Sequence, residues 1–260
     1  MSIAPLRPSD ALSAGLDETR RTRELVEALI AQPSRLGPDF MAIRRLDPAA
    51  PSLAPVLGWK ATGRGEHGTE VADTLSLLEK AAALGLVERL DWAFRCLTFD
   101  AALDAGLVGE LHLTPEPETF GGACPPRLAV SWLRGRRTLS VCAELHADAF
   151  DDETRLIAAV EEMQGWGWQV VYADVLGSSS EAAALRLLPR LRPAYVQVDL
   201  STPGRASDTS VRRLLEAGTE HGAQAMALGV DTTARLDEAL GLGVSYGRGQ
   251  LLGRASAVPR

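Results

Sequence analysis

Apolar positions along this chain recur first at helical spacing and then in short alternating or continuous runs separated by helical stretches. Leu25, Val26, Leu29 and Ile30 follow Asp17, a residue suited to cap a helix N-terminus, and predict an amphipathic helix ending before Pro33. Residues 1–16, rich in Pro, Ser and Ala, are expected to be loose. Phe40–Leu46 and Val56–Thr62 then read as two strands joined by the loop Asp47–Pro55. Helices are expected over Thr69–Leu84 and Val87–Ala105, and a short strand over Glu110–Thr114. Pro115–Arg137 reads as irregular, with Gly121, Gly122, Pro125 and Pro126 inside it.

From there the pattern cycles. Strands are predicted at Leu139–Leu145, Trp168–Val175, Tyr195–Leu200, Gln224–Val230 and Tyr246–Gln250. Helices are predicted between them at Asp152–Gln164, Glu181–Leu188, Ser207–His221 and Thr232–Leu240. Eight strands with interposed helices imply an α/β fold, a (β/α)8 TIM-like barrel, with a doubly wound open sheet as the competing topology. No strand is followed by a glycine-rich phosphate loop of the Walker or dinucleotide type, which counts against the open sheet. The division expected is an N-terminal flexible segment and helix over residues 1–36 and a barrel over 37–260. Thr114, Glu144, Asp174 and Asp199 close successive predicted strands at their C-terminal ends. In a parallel barrel those ends share one rim, where a site is expected.

Composition narrows the function classes. The 260 residues carry a net charge of −7, which argues against a general DNA or RNA binder, since phosphate contacts need a basic surface. Cys96, Cys124 and Cys142 lack metal-type spacing, and Cys96 and Cys142 lie in apolar runs, so they read as buried free thiols. His67, His112, His146 and His221 show no ligand spacing either. Arg134, Arg136 and Arg137 read as a solvated turn before a strand, Ser178–Ser180 as a loop capping the next helix, and Trp166 and Trp168 as packing at a strand entrance. No apolar run approaches the roughly 20 residues that span a bilayer. No basic segment followed by an apolar stretch opens the chain, so the cytoplasm is the expected location.

The predicted segments, in order, resemble one family. Gly58-Trp59-Lys60-Ala61-Thr62-Gly63-Arg64 is similar to the signature strand of the EAL domains, the cyclic-di-GMP phosphodiesterases. Leu111-His112-Leu113-Thr114 resembles the strand ending in a metal-binding asparagine, and Val141–Leu145 the one carrying a metal-binding glutamate, matched by Glu144. Val171-Tyr172-Ala173-Asp174-Val175, Val196-Gln197-Val198-Asp199 and Ala227-Leu228-Gly229-Val230-Asp231-Thr232 resemble three later strand ends. Tyr246-Gly247-Arg248-Gly249 resembles the family's closing motif. The resemblance runs from about Phe40 to Arg254 and implies the EAL type of barrel with an extra N-terminal helix.

The departures from the family pattern carry the functional expectation. Family members hydrolyse cyclic-di-GMP with two divalent cations held by carboxylates. At the matched positions this chain has Lys60 for the signature glutamate, Thr114 for the asparagine and Ala173 for an aspartate. Gln197 replaces the lysine thought to position the water, Leu228 a glutamate and Arg248 a glutamine. Glu144, Asp174 and Asp199 remain as acids, beside two cations, so the rim is too poor in carboxylates to cage two divalent ions. The resemblance therefore implies a degenerate member with no catalytic residues, no metal and no cofactor, and not a cyclic-di-GMP phosphodiesterase. Lys60 is expected to pair with Glu144 and Asp174 where a metal would sit. Lys60, Arg64, Glu144, Asp174, Gln197, Asp199 and Arg248 form the expected ligand site, with Arg64 at the family's phosphate-contacting position. Three readings stay open: a regulator binding a cyclic dinucleotide or other small anionic ligand without metal, a module for a protein partner, or a barrel repurposed for a different small-molecule substrate. A homodimer through the barrel is a further expectation of the resemblance.

Overall fold

A computed structural model describes residues 8–32, 35–66, 68–69, 71–201 and 207–257. Helix α1 (Pro8–Ala31) leads into β1 (Gly37–Arg45) and β2 (Val56–Arg64), followed by α2 (Thr74–Ala83) and α3 (Val87–Asp104). Strand β3 (Glu110–Leu113), α4 (Ala129–Thr138), β4 (Ser140–Leu145), α5 (Glu153–Gly165) and β5 (Gln169–Tyr172) come next. The chain ends with α6 (Glu181–Leu191), β6 (Tyr195–Asp199), α7 (Asp208–Glu220), β7 (Gln224–Leu228), α8 (Thr233–Gly241) and β8 (Tyr246–Gly247). The strands close into a barrel in sequence order, which settles the topology against an open sheet.

Strands β2 to β8 run parallel, each pair joined by helical crossovers, while β1 is antiparallel to both its neighbours. The link between β1 and β2 has no helix to carry a parallel return, so the two pair as a hairpin-like ribbon from Gly37↔Arg64 to Arg44↔Val56. Arg44↔Gly247 and Arg45↔Tyr246 then seal the barrel.

Strand alternation sorts the side chains into two layers. Leu111, Leu113, Val141, Ala143, Leu145, Val196 and Val198 face outward and join Phe99, Trp132, Leu156, Leu188 and Leu214 in the main core. Ile43, Cys142, Val171, Tyr195 and Met226 fill the inside of the barrel. Helix α1 covers α2 and α3 through Val26, Leu29 and Ile30 against Leu77, Leu90 and Phe94. At Gly58 on β2 the neighbouring strand comes so close that a Cβ would lie 2.4 Å from the Glu110 carbonyl oxygen.

Several boundaries differ from those the sequence suggests. Helix α1 starts at Pro8, so residues 8–16 are helical rather than loose, and residues 1–7 lie outside the described residues. Helix α2 starts later than Thr69, at Thr74, because the Asp73 side chain accepts the Ser76 backbone N–H at 2.9 Å and caps it. The expected irregular stretch Pro115–Arg137 contains α4. Its helical signal is masked because it buries only Trp132 and Gly135 while Val130 and Leu133 stay exposed. A Cβ on Gly135 would sit 2.2 Å from the Phe99 ring, so glycine lets α4 lie directly on α3. Arg134, Arg136 and Arg137 therefore belong to α4 and not to a turn. Arg136 lies over the Trp132 and Trp166 rings, and Trp166 and Trp168 join Trp132 in an edge-to-face cluster. Strands β5 and β8 are shorter than predicted. Among the described residues no helix is long and apolar enough to cross a membrane.

Candidate functional site

Strand alternation sends Lys60 of β2, His112 of β3, Glu144 of β4 and Gln197 of β6 into the barrel, where all four are buried. The Lys60 ammonium donates to Glu144 Oε2 at 2.6 Å and to Thr114 Oγ1 at 2.6 Å. Arg248, from the segment after β8, reaches the same Oε2 at 3.4 Å. Gln197 Nε2 donates to Glu144 Oε1 at 2.9 Å, and His112 Nδ1 stands 3.4 Å from that oxygen. Both oxygens of one fully buried carboxylate are thus engaged by groups from four other strands or strand ends.

Burial alone would raise the Glu144 pKa, but the Arg248 and Lys60 charges, helped by His112, hold it well below the usual carboxylate range. Burial pulls the Lys60 ammonium down from its ordinary value, with Glu144 opposing. The pair is ionic, and the carboxylate is the member the surroundings favour most in its charged form. Of the pairing expected for Lys60 with Glu144 and Asp174, the contact with Glu144 is present, and the ammonium's second hydrogen bond goes to Thr114.

The other expected residues stand around this centre in different roles. Arg64, at the end of β2, donates from Nε to Asp39 Oδ1 at 3.1 Å and is partly exposed. Asp199, closing β6, accepts the Ser201 backbone N–H at 2.8 Å and its hydroxyl at 2.6 Å, so it braces the backbone directly after the strand. Asp174 follows β5 with φ at +53°, a left-handed backbone that aspartate tolerates better than most residues. The structure thus brings Lys60, Glu144, Gln197 and Arg248 into direct contact and leaves Arg64 and Asp199 in local pairings of their own.

Sequence reasoning missed the cavity beside this cluster. It holds about 460 Å3, and its lining includes Lys60, Asp91, Thr114, Glu116, His146 and Asp148. Burial and the carboxylates of Asp91, Asp148 and Glu118 push Glu116 up to about 7, against the opposing Lys60 charge. Burial, reinforced by Lys60, lowers His146. Arg95 forms a buried ion pair with Asp91 and donates to Thr119 Oγ1 at 2.9 Å, tying the cavity lining to the segment after β3. The sequence signal was faint: Glu116 sits between two prolines in a stretch without periodicity.

A pair of divalent cations does not fit this donor set. Such ions take several oxygen ligands, and the buried carboxylate best placed to serve them has both oxygens turned to protein donors, with an ammonium 2.6 Å away.

No family model matches the chain, and no curated protein matches it. Solved structures do. The FimX EAL domain of Xanthomonas citri, solved in complex with c-di-GMP, is similar with a TM-score of 0.73 at 14% identity, over 94% of this chain and 96% of that one. The PaMucR phosphodiesterase in its c-di-GMP complex gives 0.68 at 20% identity, over 88% and 94%. The FimX EAL domain of Pseudomonas aeruginosa bound to c-di-GMP gives 0.69 at 15% identity, over 91% and 96%. The fold of this chain is that of the EAL domains, an eight-stranded β/α barrel with one antiparallel strand.

Proposed function

We propose that this barrel is a non-hydrolytic regulator that binds a cyclic dinucleotide, cyclic-di-GMP first among them, without divalent metal. The observation that carries the reading is the Lys60–Glu144 ion pair at 2.6 Å. Metal-assisted phosphodiester hydrolysis needs carboxylates free to hold the cations that activate water. Here a protein ammonium neutralises the central carboxylate instead, and Gln197 and Arg248 complete its shell. What supports ligand binding is the cavity opening beside that pair and the EAL fold, whose solved members named above were determined with c-di-GMP. Arg64 on the same rim is the residue assigned to a ligand phosphate, exchanging its Asp39 partner for it.

The test is a thermal-shift panel of cyclic di- and mononucleotides, run with chelator and again with Mg2+. Cyclic-di-GMP at about 100 times its dissociation constant is expected to stabilise the fold by roughly 2.7 kcal/mol, equally in both conditions. No linear dinucleotide product is expected with Mg2+ or Mn2+. Turnover, or stabilisation only with metal, overturns the reading, and a silent panel transfers the role to a protein partner.

One observation favours a second reading, an enzyme acting on another small molecule. Glu116 faces the cavity with its carboxyl pushed up to about 7, the range suited to general acid–base work. A shift by an unrelated small molecule that depends on Glu116 favours that reading over the first.

A further inference from the structure

Below the rim pair, the barrel interior carries a second polar group that neither the EAL resemblance nor the ligand reading uses. Strand register places His112 directly beside Cys142, and Glu110 lies on the same inward face of β3 as His112. The donor atoms of Glu110, His112 and Cys142 all lie within 4.8 Å of one another. His112 and Cys142 are fully buried, while Glu110 keeps part of its carboxylate open at the N-terminal end of the barrel.

The imidazole sits between two carboxylates. Its Nε2 is 3.1 Å from Glu110 Oε2, and its Nδ1 is 3.4 Å from Glu144 Oε1 without completing a hydrogen bond. A neutral imidazole has one N–H. With that hydrogen on Nε2 it is donated to Glu110 and leaves Nδ1 without a partner beside Glu144; with it on Nδ1, the Nε2 lone pair faces a carboxylate oxygen. In the second tautomer a cation between Nε2 and Glu110 Oε2 satisfies both acceptors. The arrangement is then the usual one around a metal-bound histidine, whose far nitrogen donates to a carboxylate that fixes ring and tautomer.

We propose that Glu110, His112 and Cys142 form a binding site for a zinc-like divalent cation inside the lower barrel. The donor set of one thiolate, one imidazole and one carboxylate matches the borderline-soft ions, not magnesium or calcium. Bonds of about 2.0–2.1 Å set nitrogen and oxygen donors roughly 3.3 Å apart in a tetrahedron, close to the separation already present between Nε2 and Oε2. Cys142 closes the remaining distance by turning its thiol inward from Gln169, whose Oε1 is 3.5 Å away. On binding, the thiol proton leaves to solvent and the sulfur coordinates as thiolate. Tyr195, which donates to Glu110 Oε1 at 3.1 Å, holds the carboxylate in place, and a water takes the fourth position. The site stands independently of cyclic-dinucleotide binding at the rim.

The test uses the full chain, freed of metal by chelation and then titrated with Co2+ and Zn2+ against a chromophoric chelator. One equivalent of each is expected to bind, and Co2+ is expected to give a sulfur-to-metal charge-transfer band that added Zn2+ abolishes and excess Mg2+ leaves unchanged. Cys142→Ser is expected to lose the band and to weaken Zn2+ binding at least tenfold, and Cys124→Ser to keep both. His112→Gln provides a second variant, read by metal stoichiometry if it folds. Absence of stoichiometric Zn2+ binding tighter than on the order of 10 μM, or a cobalt band that survives Cys142→Ser, overturns the site.

Discussion

Lys60 and Glu144, 84 residues apart in sequence, meet at 2.6 Å inside the barrel, with the carboxylate fully buried and the ammonium nearly so. Two charges removed from water are stable there only because each is hydrogen-bonded further: Glu144 to Gln197, and Lys60 to Thr114. Removing one partner leaves an uncompensated buried charge. Lys60→Ala is expected to destabilise the fold by about 3–5 kcal/mol in urea titrations at pH 7. A loss under about 1 kcal/mol, the scale of an exposed pair, would mean that the ion pair does not hold the barrel mouth.

The same pair sets a response to acid. A carboxylate whose folded pKa is depressed adds stability that is complete above its unfolded value, about 4.5, and is lost as pH falls through the folded value. The wild type is therefore expected to lose stability steeply below pH 4.5. Glu144→Gln, already destabilised at neutral pH, should show a flatter profile there. Melting temperatures from pH 7 down to 3 check it, and parallel profiles would contradict the assignment.

Glu116 predicts the opposite slope. Its folded pKa is raised to about 7, so between pH 4.5 and 7 the unfolded chain gives up a proton the folded one keeps. Stability from this group is complete below 4.5 and is lost as pH rises through 7. Glu116→Gln should melt above the wild type at pH 8 and converge with it near pH 4.5. A constant difference between the two across that range would show that the carboxyl is not perturbed by its neighbours.

Much of this architecture was legible because alternation of short apolar runs with helical stretches is a local property. The Lys60–Glu144 contact was legible too, because matched strand ends converge on one rim whatever the loops do. What stayed hidden depends on register. Glu110, His112 and Cys142 share one spot only because β3 and β4 pair with His112 opposite Cys142, and the long stretch of chain between the two strands erases any ligand spacing. Helix α4 was hidden for another reason: its contact with α3 runs through Gly135, so the pattern lacks the apolar residue that marks a buried face. Glu116 lies in a loop without a period, and its shift comes from burial first and then from Asp91 and Asp148, far away in sequence.

Gly58 tests the close approach of β2 and β3 that register requires. A Cβ there would stand 2.4 Å from the Glu110 carbonyl oxygen, a backbone atom that cannot rotate away. Gly58→Ala must push the strands apart beside the inward-facing Glu110, at a cost of about 1–3 kcal/mol. Urea denaturation measures the loss, and an unchanged midpoint would show that the strands separate freely at this point.

Arg64 separates ligand contact from structural support. Its ion pair with Asp39 is partly exposed on both sides, and pairs of that kind contribute about 0–1 kcal/mol. Arg64→Ala should therefore melt within a few degrees of the wild type, the most that about 1 kcal/mol moves a chain of this size. If the guanidinium grips a phosphate of a bound cyclic dinucleotide, the same variant loses most of the ligand-induced shift while Asp39→Asn, which frees the arginine, keeps or increases it. The opposite pattern, equal ligand shifts in wild type and Arg64→Ala, would confine Arg64 to pairing with Asp39 and move the anion-recognition role elsewhere on the rim.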